Sequence, residues 1–212
     1  MASIDDYLAY VSPEVEGCPR GLMVRDLTAA MIKFCRKSYY VNKEVPFTLV
    51  DGDSKYAFPS DDDWSLISVI EAKYKGKEIP LKSREWLNEN WPGWAEAKGG
   101  TPLVAYLESL DEINVYPTPD QSISGDLDVL MVVQPKRSSL VWVDEVDENY
   151  VEHIAHGAKA SLMMMKGRQW YDPNQAAYCA SMFKEGYLEA KREVMKSFSD
   201  QSLFVSAPKL GA

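Results

Sequence analysis

The sequence is poor in the residues that carry most enzyme and metal chemistry. It has only two histidines and three cysteines, and the thiols of Cys18, Cys35 and Cys179 are widely spaced. An odd, scattered set of cysteines argues against a disulfide framework and lacks CxxC spacing, so we expect buried thiols in a reducing compartment. His153 and His156 lie three residues apart without the HExxH pattern. We therefore interpret both as helix-surface residues and predict no metal site.

Long apolar runs and an excess of basic charge are also missing. No run approaches the roughly 20 apolar residues of a membrane span, and the acidic start lacks the pattern of a signal peptide, which predicts a soluble protein. The net charge of -9 argues against simple binding to a phosphate backbone. The GxSxG, P-loop and dinucleotide patterns are absent. We therefore predict no catalytic residue and no cofactor.

Helical periodicity is strongest near the C-terminus, between Asp147 and Phe198. Small and apolar residues recur at helical spacing through two segments of this stretch. Gly167 is suited to end the first helix, and Asp172-Pro173 is suited to start the second. The short connection predicts antiparallel neighbours. A further helix is predicted near the N-terminus, where one face carries Val24, Leu27, Met31, Phe34 and Cys35.

The section between these helices is predicted to be β-structure. Pro46–Val50 and Lys55–Pro59, joined by a glycine-containing turn, predict a first hairpin. Leu66–Tyr74 and Glu78–Leu81 predict a second. The remaining predicted elements are a short helix capped by Ser83 and strands over 103–109, 112–116 and 126–134. Six or seven strands in hairpin order predict an antiparallel sheet or a small sandwich, while Ile4–Val11 is left outside the predicted helices.

These elements together predict an α+β fold. A three-helix bundle drawn from the N- and C-terminal segments (about 19–39, 147–166 and 173–198) would carry an inserted antiparallel β domain (about 45–135). The predicted domains are 1–44 with 138–200 for the helical bundle, 45–137 for the inserted β domain and 201–212 for an extended C-terminal docking tail.

The predicted tail is apolar in places, with Leu203, Phe204, Val205 and Leu210. Pro208 and Gly211 prevent a continuous helix there. Apolar side chains after the last helix need a surface to cover them. We therefore expect the tail to dock on a partner.

Three tryptophans, Trp86, Trp91 and Trp94, form with Tyr106 the one cluster that points to more than one function. Stacked tryptophans can bind a sugar or a base, but basic residues are not interleaved here, which disfavours nucleic acid. A structural or subunit-contact role is one interpretation, and a carbohydrate-binding or glycan-degrading accessory protein is the alternative. The run Met163–Met165 is expected to pack in the core, with one methionine available to a partner.

The order of the segments resembles the head-to-tail adaptor (connector) proteins of tailed bacteriophages. Similar segments are the first helix at Leu27–Ser38, the Val50–Pro59 region and the Tyr116–Asp120 turn. The most specific part is the C-terminal helical pair. It carries Tyr150, Ile154, Gly157-Ala158, Leu162, Gly167, Trp170, Asp172-Pro173, Ala176 and Phe183.

The resemblance implies a virion structural protein rather than an enzyme. Such adaptors are expected to form a homo-oligomeric ring of about twelve copies under the portal protein. The ring would also meet a tail or nozzle protein, and genomic DNA would pass through its channel without sequence-specific binding. The chain would lie in the neck of the virion after assembly in the host cytoplasm. The expected portal or subunit interface comprises Leu203, Phe204, Val205, Leu210, Trp170 and Tyr171.

Overall fold

The computed structural model describes residues 4–94, 99–138 and 144–196. These residues contain five α-helices and eight β-strands. The predicted α+β class is therefore confirmed. The helices are Ile4–Val11 (α1), Arg20–Ser38 (α2), Arg84–Asn90 (α3), Asp144–Leu162 (α4) and Pro173–Met195 (α5). The strands are Asn42–Leu49 (β1), Lys55–Ala57 (β2), Trp64–Tyr74 (β3), Lys77–Ile79 (β4), Leu81–Lys82 (β5), Val104–Tyr106 (β6), Glu112–Tyr116 (β7) and Ile123–Pro135 (β8).

The chain divides into two compact units. The β unit is built from Val41–Val143. The helical unit is built from the segments on either side, Ala2–Tyr40 and Asp144–Ala212. The predicted tail, 201–212, lies outside the described residues, and so does the predicted end of the last helix at 197–198.

The helix boundaries follow the capping signals in the sequence. The Asp172 carboxylate accepts hydrogen bonds from the backbone N–H groups of Asn174 and Gln175, both at 3.0 Å, and Pro173 occupies the first turn of α5. The Ser83 hydroxyl accepts from the Trp86 N–H at 3.1 Å, which confirms the predicted cap of α3. Helix α4 begins at Asp144, three residues before the predicted start at about 147.

The N-terminal segment Ile4–Val11 is a helix, which sequence analysis missed. Ile4, Tyr7, Leu8 and Val11 are buried, at the spacing of one helical face, and α1 packs against α4 and α2. Eight residues are too few to form a stable helix in isolation. Tertiary contacts therefore stabilise α1. Its apolar pattern spans only eight residues, which is too short to predict a helix from the sequence.

Helices α2, α4 and α5 each pack against the other two. His153 and His156 on α4 contact Met182 and Cys179 on α5, in reverse order along the chain, so these helices are antiparallel. The Ser161 hydroxyl donates to the Asp26 carboxylate at 2.7 Å, and the rings of Phe34 and Tyr150 are 5.2 Å apart. This order makes α2 antiparallel to α4.

Two glycines allow α4 to approach its neighbours closely. A Cβ on Gly157 would lie 2.8 Å from the Phe183 ring and 3.0 Å from Ala30 Cβ. A Cβ on Gly186 would lie 2.4 Å from Cγ of His153. Real Cβ atoms avoid such separations, so the observed packing of α4 on α5 requires glycine at both positions.

The β unit contains two four-stranded sheets with the strand orders β1-β8-β3-β4 and β2-β7-β6-β5. The predicted hairpin between Pro46–Val50 and Lys55–Pro59 is wrong, because β1 pairs with β8 and β2 pairs with β7. The intervening turn bonds elsewhere. Its Asp51 N–H donates to the Ser122 hydroxyl at 2.9 Å, and its Gly52 N–H donates to the Pro119 carbonyl at 3.0 Å. The turn therefore directs the chain from one sheet into the other.

The second predicted hairpin is confirmed as β3–β4, with Lys75 and Gly76 both at positive φ in its two-residue turn. Leu81, however, does not continue β4. It begins β5, which pairs in parallel with β6 in the other sheet. The hairpin pattern predicted an entirely antiparallel β unit. This prediction is wrong for the β5–β6 pair, which is parallel.

The close helix packing predicts opposite effects for two glycine substitutions. Gly186→Ala places a methyl group against the His153 ring and should lower the free energy of unfolding by about 1–3 kcal/mol. Gly21→Ala, on α2, meets no atom within 4 Å and should stabilise the chain by about 0.5 kcal/mol. Chemical denaturation of both variants checks the pair. Equal effects would contradict the close packing.

Candidate interaction surfaces

The connection between α4 and α5 brings an exposed apolar group to one end of the helical unit. Gly167 at φ 76° helps the chain to reverse, and the Asp172 N–H donates to the Met163 carbonyl at 3.0 Å. Met163 is buried, whereas Met164 is 55% exposed and Tyr171 is 39% exposed. Met165 is half-buried, so one member of the run is exposed as expected, but only one of the three is buried in the core.

An open groove of about 470 Å³ lies at this connection. We call it the turn groove, and its lining residues are Glu14, Met163, Gln169, Trp170, Tyr171, Asp172 and Gln175. Trp170 and Tyr171, the two residues of the expected interface that lie in this connection, therefore line one surface. The indole N–H of Trp170 is buried and has no hydrogen-bond partner among the described residues. The Arg168 guanidinium lies 5.9 Å from the ring centroid of Trp170.

An ion pair between a buried lysine and an exposed glutamate borders the turn groove. Lys159 is 4% exposed, and its ammonium donates to the Glu14 carboxylate at 2.6 Å. Burial opposes ionisation of Glu14, but the hydrogen bond and charge of Lys159, with a hydrogen bond from Gln175, outweigh it and lower the pKa of this carboxyl. Sequence analysis missed the pair because 145 positions separate its members.

The two histidines lie between helices and not on the helix surface, so that prediction is wrong. Nδ1 of His153 is 2.9 Å from the Met182 carbonyl oxygen, and Nδ1 of His156 is 3.4 Å from the Cys179 sulfur. Burial and the nearby Lys159 charge lower the pKa of His156. Both rings therefore serve the packing of α4 on α5. No group of three or more His, Cys, Asp or Glu within the described ranges is arranged to hold a metal ion.

The three cysteines are buried free thiols, as predicted. Burial raises the pKa of the Cys35 thiol to about 12. Burial also raises the pKa of Cys18 and of Cys179. A thiol with a raised pKa carries little thiolate at neutral pH and reacts slowly. In the part of the chain that the structure describes, no helix is long and apolar enough to span a bilayer.

The tryptophan cluster is part of the core beside the second sheet. Trp94 is 9% exposed, packs against Tyr106 at 5.2 Å between ring centroids, and donates its indole N–H to the Asn88 side chain at 2.7 Å. Trp86 and Trp91 meet edge to face at 5.5 Å, and the Lys82 ammonium lies 4.9 Å from the Trp86 ring centroid. The aromatic rings of this cluster therefore pack mainly against one another. This arrangement favours the structural interpretation over carbohydrate binding.

The other part of the expected interface, Leu203, Phe204, Val205 and Leu210, lies outside the described residues. The structure describes α5 as far as Met195. Its start adjoins the turn groove, and the tail follows its other end.

The ion pair at Glu14 predicts a pH-dependent stability. Because the pKa of Glu14 is lower in the folded chain than its ordinary value of 4.5, the unfolded chain takes up the proton first on acidification. The stabilisation is therefore present above about pH 4.5 and is lost as the pH falls through the lowered pKa. Glu14→Gln should remove this contribution, and denaturation between pH 7 and pH 3 measures it. Glu16→Gln, at an exposed position nearby, is the matched control, and identical pH profiles for the two variants would contradict the assignment.

Comparison with known protein families gives a match over nearly the whole chain. Residues 3–202 match the family model described as SU10 adaptor protein. No curated protein matches the chain. The match confirms the resemblance to a phage adaptor that the helical pair and its connecting turn had indicated. The chain belongs to the SU10 adaptor protein family.

Proposed function

We propose that this chain is a structural head-to-tail adaptor that forms a ring under the portal protein and connects the capsid to the tail. The family match over residues 3–202 carries the proposal. We place the subunit number at about twelve, which is the number that the resemblance to head-to-tail adaptors implies, and a ring of identical copies would have closed cyclic symmetry. The ring would meet a tail or nozzle protein on its other side.

A closed ring needs two different surfaces on each subunit, because neighbouring copies then meet head to tail. The chain offers two such candidates. One is the turn groove with Trp170 and Tyr171, which presents partly exposed aromatic rings. The other is the tail segment 201–212 with Leu203, Phe204, Val205 and Leu210. We propose that these residues form the interface with the portal or with a neighbouring copy.

The organisation of the chain supports a role in assembly. We assign residues 1–44 and 138–200 to a helical domain, 45–137 to a β domain and 201–212 to a docking tail. Two buried polar residues of the helical unit are paired, Lys159 with Glu14 and Asp26 with Ser161. These pairs stabilise packing, and we assign them no catalytic role.

The acidic charge of the chain suits passage of DNA through a ring. A net charge of -9 on each subunit, repeated around the channel, would repel the phosphate backbone and limit binding of DNA to the wall. A channel lined with Lys and Arg in an assembled ring would contradict this part of the proposal.

Removal of the tail tests the docking role directly. We predict that a chain lacking residues 201–212 still folds, because the described core of the helical unit ends before this segment, but that it no longer assembles with the portal. Circular dichroism checks the fold, and co-sedimentation with purified portal checks docking. Lys209→Ala in the full-length chain is the control. It changes the tail without removing an apolar anchor, so docking should be retained. Docking of the shortened chain at the level of the intact chain would refute the role of the tail.

A further inference from the structure

One lining residue of the turn groove, Trp170, has a hydrogen-bond donor without an acceptor in the part of the chain that the structure describes. The indole N–H of Trp170 can only donate, and it is buried without a partner among the described residues. Leaving a buried donor unsatisfied costs about 1–3 kcal/mol. Apolar surface lies at the same place, on Tyr171 within the groove and on the neighbouring Met164. An extended peptide that brings both a backbone carbonyl and apolar side chains therefore fits this groove.

The chain itself contains a segment with that chemistry. Leu203-Phe204-Val205 is a run of three large apolar residues, which we call the tail triplet. Ser202 and Ser206 flank it, and Pro208 follows two residues later. A short apolar run between small polar residues offers anchor side chains together with a backbone able to lie extended in a groove.

The tail triplet has too little chain to reach the groove of its own copy comfortably. Gln175, in the groove, and Met195 are 20 residues apart on α5, which is about 30 Å at 1.5 Å per residue. Leu203 lies eight residues beyond Met195, so even a straight chain carries it at most about 29 Å. Phe204 would arrive only if the segment were stretched along the whole helix. The tail of a neighbouring copy has no such limit, because the length of α5 does not set its distance from the groove.

We propose that the tail triplet of one copy docks in the turn groove of a second copy. A backbone carbonyl of the tail accepts the hydrogen bond from Trp170, and Phe204 packs against Tyr171. This inference rests on the proposed ring and specifies its subunit contact. Each copy gives one tail and receives one, so the contact is head to tail and leaves no groove empty in a closed ring.

Disulfide cross-linking tests the contact in the full-length protein, assembled with purified portal. Gln169→Cys places a thiol on the exposed rim of the groove, and Ser206→Cys places one beside the tail triplet. The native Cys18, Cys35 and Cys179 are buried with raised pKa values, so they compete little for mild oxidation. The doubly substituted chain should form a ladder of covalent multimers. Equal mixing of the two single variants should give dimers that contain one of each.

A second pair of variants tests which side chains make the contact. Phe204→Ala in the Ser206→Cys chain should lower the yield of mixed dimer roughly tenfold, as expected for loss of an aromatic anchor. Phe198→Ala, an aromatic change six positions earlier, should leave the yield unchanged. Equal losses from the two changes would overturn the assignment to the tail triplet.

The outcomes separate this inference from the proposed function. Covalent links only within single chains, or no links in samples that still assemble with the portal, would overturn the tail-to-groove contact and leave the adaptor ring standing. Failure of the unsubstituted chain to assemble with the portal would overturn both. Mixed dimers that depend on Phe204 would support the proposal.

Discussion

The close approach of α4 to α5 is the constraint on which the helical unit depends. Glycine at 157 and at 186 leaves room for the Phe183 and His153 rings, which fill the space where a Cβ would lie. The packing fixes the direction of α5, a helix of 23 residues. One end of α5 then forms the turn groove, and the other leads to the tail.

Local signals in the sequence predicted the fold where contacts are local. Helical periodicity, the Asp172-Pro173 cap and the two-residue turn at Lys75-Gly76 act within a few residues, and the structure contains the elements that they predict. The pairing of β1 with β8 joins residues about 80 positions apart and overrides the local hairpin pattern. The parallel pairing of β5 with β6 and the stabilisation of α1 by α4 likewise depend on tertiary contacts.

The candidate site was predictable in part for the same reason. Trp170 and Tyr171 stand in a turn whose capping residues are explicit in the sequence, so their presence on one surface could be expected. Glu14 joins that surface through tertiary contacts with Lys159 and Gln175, which no local pattern reveals. The tryptophans attracted attention by their number, yet Trp94 is buried beside Tyr106 because aromatic rings also serve as core.

If identical chains assemble into an adaptor on the portal, the mass added to the portal should be a multiple of the mass of one chain. Native mass spectrometry of the chain, alone and with purified portal, measures this most directly. The account predicts that the chain adds to the portal as a set of about twelve copies of 23.9 kDa, the number that the resemblance to head-to-tail adaptors implies. A single 23.9 kDa species that stays unchanged in the presence of portal would contradict it.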